Sequence, residues 1–259
     1  MSMRYKVIIA DVDGTLITPG EYPVKKPSKR LINAVKSAKD RGVLFSLASA
    51  RSLPWVQTLI DHLEIEAPVI LDNGATLFDC KAKKYIFRSD LTKKTVGKIY
   101  EFLKDEKDLN IMLAEGENGD RRVDSPSKMI TNYANKILII NVSPDKAENI
   151  YQKLRKISSV HVTKSVSAVN PVRESIHVTN ADATKQLAVG RLAEIMKIKT
   201  LEIIGIGDSY NDFSFLMACG LKVAMGNSVK EIKEISDYIG PSYQEDGVAR
   251  IIEKFILNQ

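Results

Sequence analysis

A chain of 259 residues has room for one large domain or two modest ones, and for a sizeable core. With 44% hydrophobic and 27% charged residues it lacks the signature of disorder, and 38 Lys and Arg against 32 Asp and Glu (+6), in no block of five like charges, argue against a nucleic-acid- or membrane-binding tail. Cys80 and Cys219 cannot build a multi-bridge secreted framework, and the apolar run after Lys6 is too short for a leader or a membrane span, so a cytoplasmic protein is expected.

In chain order, Val7–Ala10 is a continuous apolar run, the pattern of a strand buried on both faces of a parallel sheet. From Ser28 to Arg41 the residues Leu31, Ile32, Ala34, Val35 and Ala38 recur at helical spacing, with Gly42 placed for a left-handed C-terminus. A second strand over Val43–Ala48, a helix over Pro54–Leu63 and a third strand over Val69–Leu71 repeat the rhythm, ending at Asp72, Asn73 and Gly74. From about residue 82 the rhythm changes: a helix over 91–107, a strand over Ile111–Ala114, a polar loop over Glu115–Ser127, a strand over Ile137–Val142, a helix over 145–156 and a strand over Val160–Thr163. After Asn180 the first pattern returns as a helix over Thr184–Met196, a strand over Leu201–Ile206 and short strands at 222–224 and 238–239. The expectation is an α/β parallel-sheet core made from residues 1–81 and 182–259, with an α+β unit over 82–181 inserted into it.

Polar clusters follow the predicted strands or open the last long helix: Asp11 and Asp13, Ser49, Lys185, and Gly207 with Asp208. In open α/β sheets such strand ends share one crevice. Gly14 and Thr15 break the first strand so that both aspartates can turn over its end. Two carboxylates about 4 Å apart at an effective dielectric near 20 repel by roughly 4 kcal/mol, and Asp208 with Asp212 adds to that, so a cation is called for. Oxygen-only donors, few in number and without His or Cys, favour magnesium over calcium or zinc. A carboxylate nucleophile, a second carboxylate to move a proton, a hydroxyl and a lysine suit phosphoryl transfer through an aspartyl-phosphate.

Asp11-Val12-Asp13-Gly14-Thr15-Leu16, the hydroxyl of Ala48-Ser49-Ala50-Arg51, Lys185, and Gly207-Asp208-Ser209-Tyr210-Asn211-Asp212 resemble, in order, the four motifs of haloacid dehalogenase superfamily phosphatases. Asp72-Asn73-Gly74-Ala75, the segment 223–228 and the segment 245–249 resemble secondary landmarks of the Cof-like subfamily. The resemblance implies a Rossmann-like hydrolase core with a mobile cap. It implies Asp11 as nucleophile, Asp13 as general acid/base whose main-chain carbonyl also binds metal, Asp208 as a further Mg2+ ligand and Asp212 as support for the metal shell. Lys185 and Ser49 would hold the phosphate, and Asn73 and Asn211 would shape its rim. Two departures stand out: Ala50 and Gln186 occupy positions where the family commonly has glycine.

Bland roles compete for several of these residues. Ser49 alone would serve as a helix N-cap and Lys185 as a solvated helix residue. Gly207-Asp208-Ser209 lacks the histidine of a serine hydrolase, and Gly205-x-Gly207 lacks the third glycine of a dinucleotide fingerprint. His62, His161, His177 and Trp55 read as packing residues, whereas Arg51 suits a phosphate or substrate contact. Arg121 and Arg122 in the 115–127 loop are candidates for reaching over the leaving group. The expected activity is Mg2+-dependent hydrolysis of a small phosphorylated metabolite, a sugar phosphate foremost, by a monomer or small homo-oligomer. The alternatives are a phosphosugar mutase of the same superfamily and a non-catalytic phosphometabolite-binding protein.

Overall fold

Alternation of buried side chains explains the central layer. In β1 (Val7–Ala10) all four residues are buried: Ile8 and Ala10 pack into one hydrophobic cluster, Val7 and Ile9 into another on the opposite face. The computed structural model describes residues 4–116, 119–129 and 131–258. After β1 come α1 (Lys29–Asp40), β2 (Leu44–Leu47), α2 (Gln57–His62), β3 (Val69–Leu71), β4 (Thr76–Asp79) and β5 (Lys84–Arg88). Next are β6 (Leu91–Thr92), α3 (Lys93–Leu103), β7 (Asn110–Ala114), β8 (Asp120–Val123), β9 (Tyr133–Ala134), β10 (Lys136–Val142), α4 (Pro144–Leu154), β11 (Val160–Val166) and β12 (Glu174–Asn180). The chain closes with α5 (Lys185–Met196), β13 (Ile203–Gly207), α6 (Phe213–Ala218), β14 (Leu221–Ala224), α7 (Lys230–Ile235), β15 (Tyr238–Ile239) and α8 (Gly247–Ile252).

The parallel sheet has the order β15-β14-β13-β1-β2, and a bridge from Ala48 to Ile70 sets β3 beside β2. The chain runs outward from β1 through β2 and β3, then returns on the other side through β13, β14 and β15. The carboxyl ends of β1 and β13 therefore flank the point where the strand order reverses, the place such sheets hold ligands. Helix α1 begins as its sequence dictates: the Ser28 side chain accepts the Leu31 N–H as N-cap, and Gly42 turns the chain out with φ +79.

A second, antiparallel sheet has the order β11-β12-β10-β7-β8. Ile111, Leu113, Ile137, Ile139, Ile176 and Val178 of its strands pack with α3 and α4 in a cluster of their own. The intervening Met112, Leu138, Ser175 and His177 face the crevice over β1 and β13. Among the described residues no helix is long and apolar enough to cross a membrane.

Several sequence expectations change. The loop over 115–127 contains β8, paired with β7, and a 3₁₀ turn over Pro126–Met129; its residues 117 and 118, like residues 1–3 of the chain start, lie outside the described residues. The strand expected from Leu201 opens with a turn over Thr200–Glu202, and the helix expected over 54–63 splits into a turn over Leu53–Trp55 and α2. The hairpin of β4 and β5 and the long strand β12 are additions to the expected elements.

Candidate active site

Tight turns beyond β1 and β13 bring the carboxylates together. Past Asp11 the chain folds back on itself, with the Gly14 N–H donating to the Ile17 carbonyl at 2.9 Å. Gly14 has φ +79, and a β-carbon there would collide with Asp208 Oδ2, so glycine is what admits the Asp208 carboxylate. Thr15 Oγ1 donates to Asp208 Oδ1 (3.0 Å), and Asn227 Nδ2 donates to the Gly14 carbonyl (2.8 Å). Asp212 Oδ2 accepts the main-chain N–H groups of Asp208 (3.0 Å) and Ser209 (3.1 Å), which orients its other oxygen. Lys185, the first residue of α5, donates to Asp11 Oδ1 (2.6 Å) and Asp212 Oδ1 (2.7 Å). The turn at Gly74, φ +98, packs so closely on Thr184 that a side chain there would strike the Thr184 carbonyl; this contact seats the start of α5.

Ligand oxygens of Asp11, Asp208 and Asp212 lie within 4.8 Å of one another. Burial, aided by Asp212 and opposed by Lys185, pushes the Asp11 carboxyl up to about 8. Asp208 is raised well above the usual carboxylate range, by burial first and then by Asp212 and Asp11. For Lys185 burial disfavours the charge, but Asp11 and Asp212 outweigh it and hold the ammonium above its ordinary value. Three carboxylates facing one ammonium form a site with charge to spare for a hard divalent cation. Gly14→Ala, which needs both a left-handed alanine and a displaced Asp208, is expected to cost about 2 kcal/mol or more in denaturant unfolding, and wild-type stability would contradict this role.

Asp13 stands apart from that cluster. Arg51 donates Nε and Nη2 to its two oxygens at 2.7 Å each, and Gly20 N–H donates to it at 2.8 Å. The guanidinium also donates to the Glu21 carbonyl, so Arg51 lines the cavity with its fork committed to Asp13 rather than open to a phosphate. Ser49 is buried, and its Oγ accepts the Arg51 N–H at 3.0 Å, leaving its own proton to donate. Asn211 Nδ2 donates to Asn73 Oδ1 (3.3 Å), and Asn73 Nδ2 donates across the seam to Thr163 Oγ1 (3.0 Å). Ala50 borders the cavity and Gln186 is exposed, so neither departure from glycine displaces a site group.

A cavity of about 430 Å³ lies between the two sheets, bounded by Asp11, Asp13 and Asp208 on one side and by Met112, Leu138 and His177 on the other. That size suits a small organic ligand. Trp55, expected to pack, meets the Tyr22 ring in a tilted contact with centroids 4.4 Å apart and borders this cavity. His177, also expected to pack, is on its wall: Nε2 meets Ser165 Oγ at 2.9 Å while Nδ1 has no hydrogen-bond partner among the described residues. Arg121 and Arg122 do not line it; Arg121 is paired with Glu115, and Asp120 borders the cavity in their place. Lys136 and Asp120 are the charged cavity residues that the sequence reading does not single out, and Met112, Leu138, Ser165 and Ser175 are unread lining residues as well. A lone lysine at a strand start carries no signal that it is buried.

Burial, reinforced by Lys136 and Lys185, pulls the His177 imidazole down to about 3. A base with a depressed folded pKa adds stability that is full above the unfolded value of 6.5 and is lost as pH falls toward about 3. His177→Asn is expected to flatten that limb in melting curves between about pH 7 and pH 4; a curve parallel to wild type would contradict the assignment.

The model of the haloacid dehalogenase-like hydrolase family matches residues 8–252. The chain is 27% identical over 253 residues to 5-amino-6-(5-phospho-D-ribitylamino)uracil phosphatase YcsE of Bacillus subtilis (strain 168), covering 97% of this chain and 96% of that one. It is 25% identical over 254 residues to phosphoglycolate phosphatase 1 of Saccharolobus solfataricus, again over 97% and 96%. A crystal structure of a haloacid dehalogenase-like hydrolase from Bacteroides thetaiotaomicron superposes with a TM-score of 0.76 at 25% identity, over 96% of this chain and 99% of that one.

Proposed function

The chain belongs to the haloacid dehalogenase-like hydrolase family as a phosphatase, and on that footing we propose that it hydrolyses monoesters of small metabolites, sugar phosphates foremost, in a magnesium-dependent reaction through a phosphoryl group carried on Asp11. The observation that carries the reading is the contrast between two aspartates one residue apart. Asp11 is buried against Lys185, while Asp13 faces the cavity in the grip of Arg51. Such a contrast in surroundings divides labour between two carboxylates.

Asp11 attacks phosphorus, the ester P–O bond breaks, and the leaving alkoxide takes its proton from the Asp13 carboxyl, which carries that proton on an oxygen that one prong of Arg51 has released while the other prong keeps Asp13 in place. Water then attacks the aspartyl-phosphate, Asp13 takes a proton from it, and the P–O bond to Asp11 breaks to return the carboxylate. Ser49 donates its hydroxyl proton to a phosphoryl oxygen, and Lys185 balances charge on Asp11 as it gains and loses the phosphoryl group. A magnesium ion held by Asp11, Asp208 and the main-chain carbonyl of Asp13, with Asp212 supporting the shell, would neutralise the phosphoryl oxygens facing the nucleophile. Asn211 lines the cavity, and Asn73 holds it in place by accepting its amide hydrogen at 3.3 Å.

The unit over 82–181 acts in this reading as a cap on the core of 1–81 and 182–259; the sheet of β7, β8 and β10–β12 with its own hydrophobic cluster supports that role, whereas β5 inside those bounds pairs with β4 and packs against the core. The test is phosphate release from sugar phosphates, phosphoglycolate, pyridoxal phosphate, nucleotides and 5-amino-6-(5-phospho-D-ribitylamino)uracil, with magnesium or chelator. Release that depends on magnesium is the expected result, and no release from any of these esters would sink the reading.

A further inference from the structure

Across the seam between the two sheets lies a second buried polar cluster, separate from the carboxylates around Lys185. Lys136, the first residue of β10, is only 3% exposed, and its ammonium donates to the main-chain carbonyl of Ala50. The same ammonium lies 3.8 Å from Asp72 Oδ1, a buried carboxylate just beyond β3. Ser52 Oγ is 2.6 Å from Asp72 Oδ1 and 2.7 Å from Asp120 Oδ1, so β8 also reaches this point. Thr76 Oγ1 donates to the second Asp72 oxygen at 3.1 Å. Burial raises the Asp72 carboxyl, and the Lys136 ammonium and Ser52 oppose that rise.

What the ammonium grips is one peptide plane. The Ala50 carbonyl and the Arg51 N–H belong to the same planar unit. Lys136 holds the carbonyl end, and Ser49 Oγ accepts the N–H end at 3.0 Å. Beyond that plane the Arg51 side chain makes its two-pronged contact with Asp13. A rotation of this peptide would therefore turn both the Ser49 hydroxyl and the Arg51 fork, and Lys136 blocks the rotation from the opposite sheet.

We propose that Lys136 is a positioning residue that couples seating of the second sheet to the geometry of Ser49 and Asp13, through the Ala50–Arg51 peptide. The proposal rests on the phosphatase reading and adds a residue to it. When the second sheet is seated, Arg51 stands where one of its prongs fixes Asp13 while the other oxygen, released and protonated, meets the leaving group. When it is not, the peptide loses one of its two holds, and proton delivery suffers first.

Leaving-group chemistry separates this role from a merely structural one. An alkyl phosphate needs a proton on its departing oxygen, whereas p-nitrophenolate departs without one. The ratio kcat/KM, which reports the steps up to formation of the aspartyl-phosphate, is compared for an alkyl sugar phosphate and p-nitrophenyl phosphate in wild type, Lys136→Met, and Lys136→Met with Asp72→Asn. The double variant removes the carboxylate that the single variant would leave without its cation, and so keeps the experiment readable if the single variant folds poorly. The expected result is a fall of about 100-fold for the alkyl ester against less than about threefold for the aryl ester, in both variants, with the double variant melting near wild type. Equal losses for the two esters would overturn the proposal, as would recovery of alkyl activity in the double variant, since Lys136 would then only balance the charge of Asp72. A wild type that hydrolyses neither ester would overturn the phosphatase reading itself, and the tie with it.

Discussion

Asp11→Asn is expected to lower kcat/KM for the best phosphate ester by about four orders of magnitude or more, because the amide keeps the shape and loses the nucleophile. The same substitution should leave the protein at least as resistant to heat as wild type in the presence of chelator. Asn keeps an oxygen for the Lys185 ammonium, which lies 2.6 Å from Asp11 Oδ1. It also removes one of three carboxylates crowded within 4.8 Å, and burial and Asp212 already disfavour the charged form of Asp11. Loss of activity with retained or raised melting temperature separates a missing nucleophile from a damaged fold. Residual phosphate release within tenfold of wild type would remove Asp11 from the chemistry.

Lys185→Met is expected to act on both stability and rate. The ammonium is buried and bonded to Asp11 and Asp212. Removing one partner of a buried ionic cluster leaves uncompensated charge and typically costs about 3–5 kcal/mol. For a chain of this size that corresponds to a fall in melting temperature of roughly 10 °C. Phosphate release should fall by at least about 100-fold as well, since charge balance on Asp11 is lost in both half-reactions. A second substitution, Asp212→Asn, removes part of the excess charge and should recover part of the melting temperature but none of the activity. An unchanged melting curve for the single variant would mean that the ammonium does not compensate these carboxylates.

Much of this centre is legible in the sequence, because its groups sit at the ends of strongly patterned elements. The buried run of β1 predicts where Asp11 must lie, and the turn residues after it explain how a second aspartate reaches the same crevice. The helix start at Thr184 and the strand end at Gly207 are equally plain, and the order of the strands brings them together. What stayed hidden depends on contacts distant in sequence. Arg51 reads as a free phosphate ligand, yet its fork is taken by Asp13, 38 positions earlier. Lys136 looks like any surface lysine until β10 is placed over the Ala50 carbonyl. Strand β12 carries a clean alternation, Ile176 and Val178 inward against Ser175, His177 and Thr179, but Ser175 and His177 face the crevice rather than solvent and Thr179 is buried against the Ala183 carbonyl. Such a face has neither the hydrophobicity of a core nor the charge of a surface. The 115–127 segment was misread for a related reason: Asp120, Arg121 and Arg122 make β8 polar, and only its pairing with β7 identifies it as a strand.

The most direct test of the account is to trap the phosphoryl group. Enzyme mixed with a substrate labelled at phosphorus, quenched in acid during turnover and digested, should carry label on the peptide containing Asp11. That label should be lost on treatment with hydroxylamine, as an acyl phosphate requires, and absent from Asp11→Asn. Steady release of phosphate with no label on that peptide, at quench times shorter than one turnover, would contradict a covalent route through Asp11.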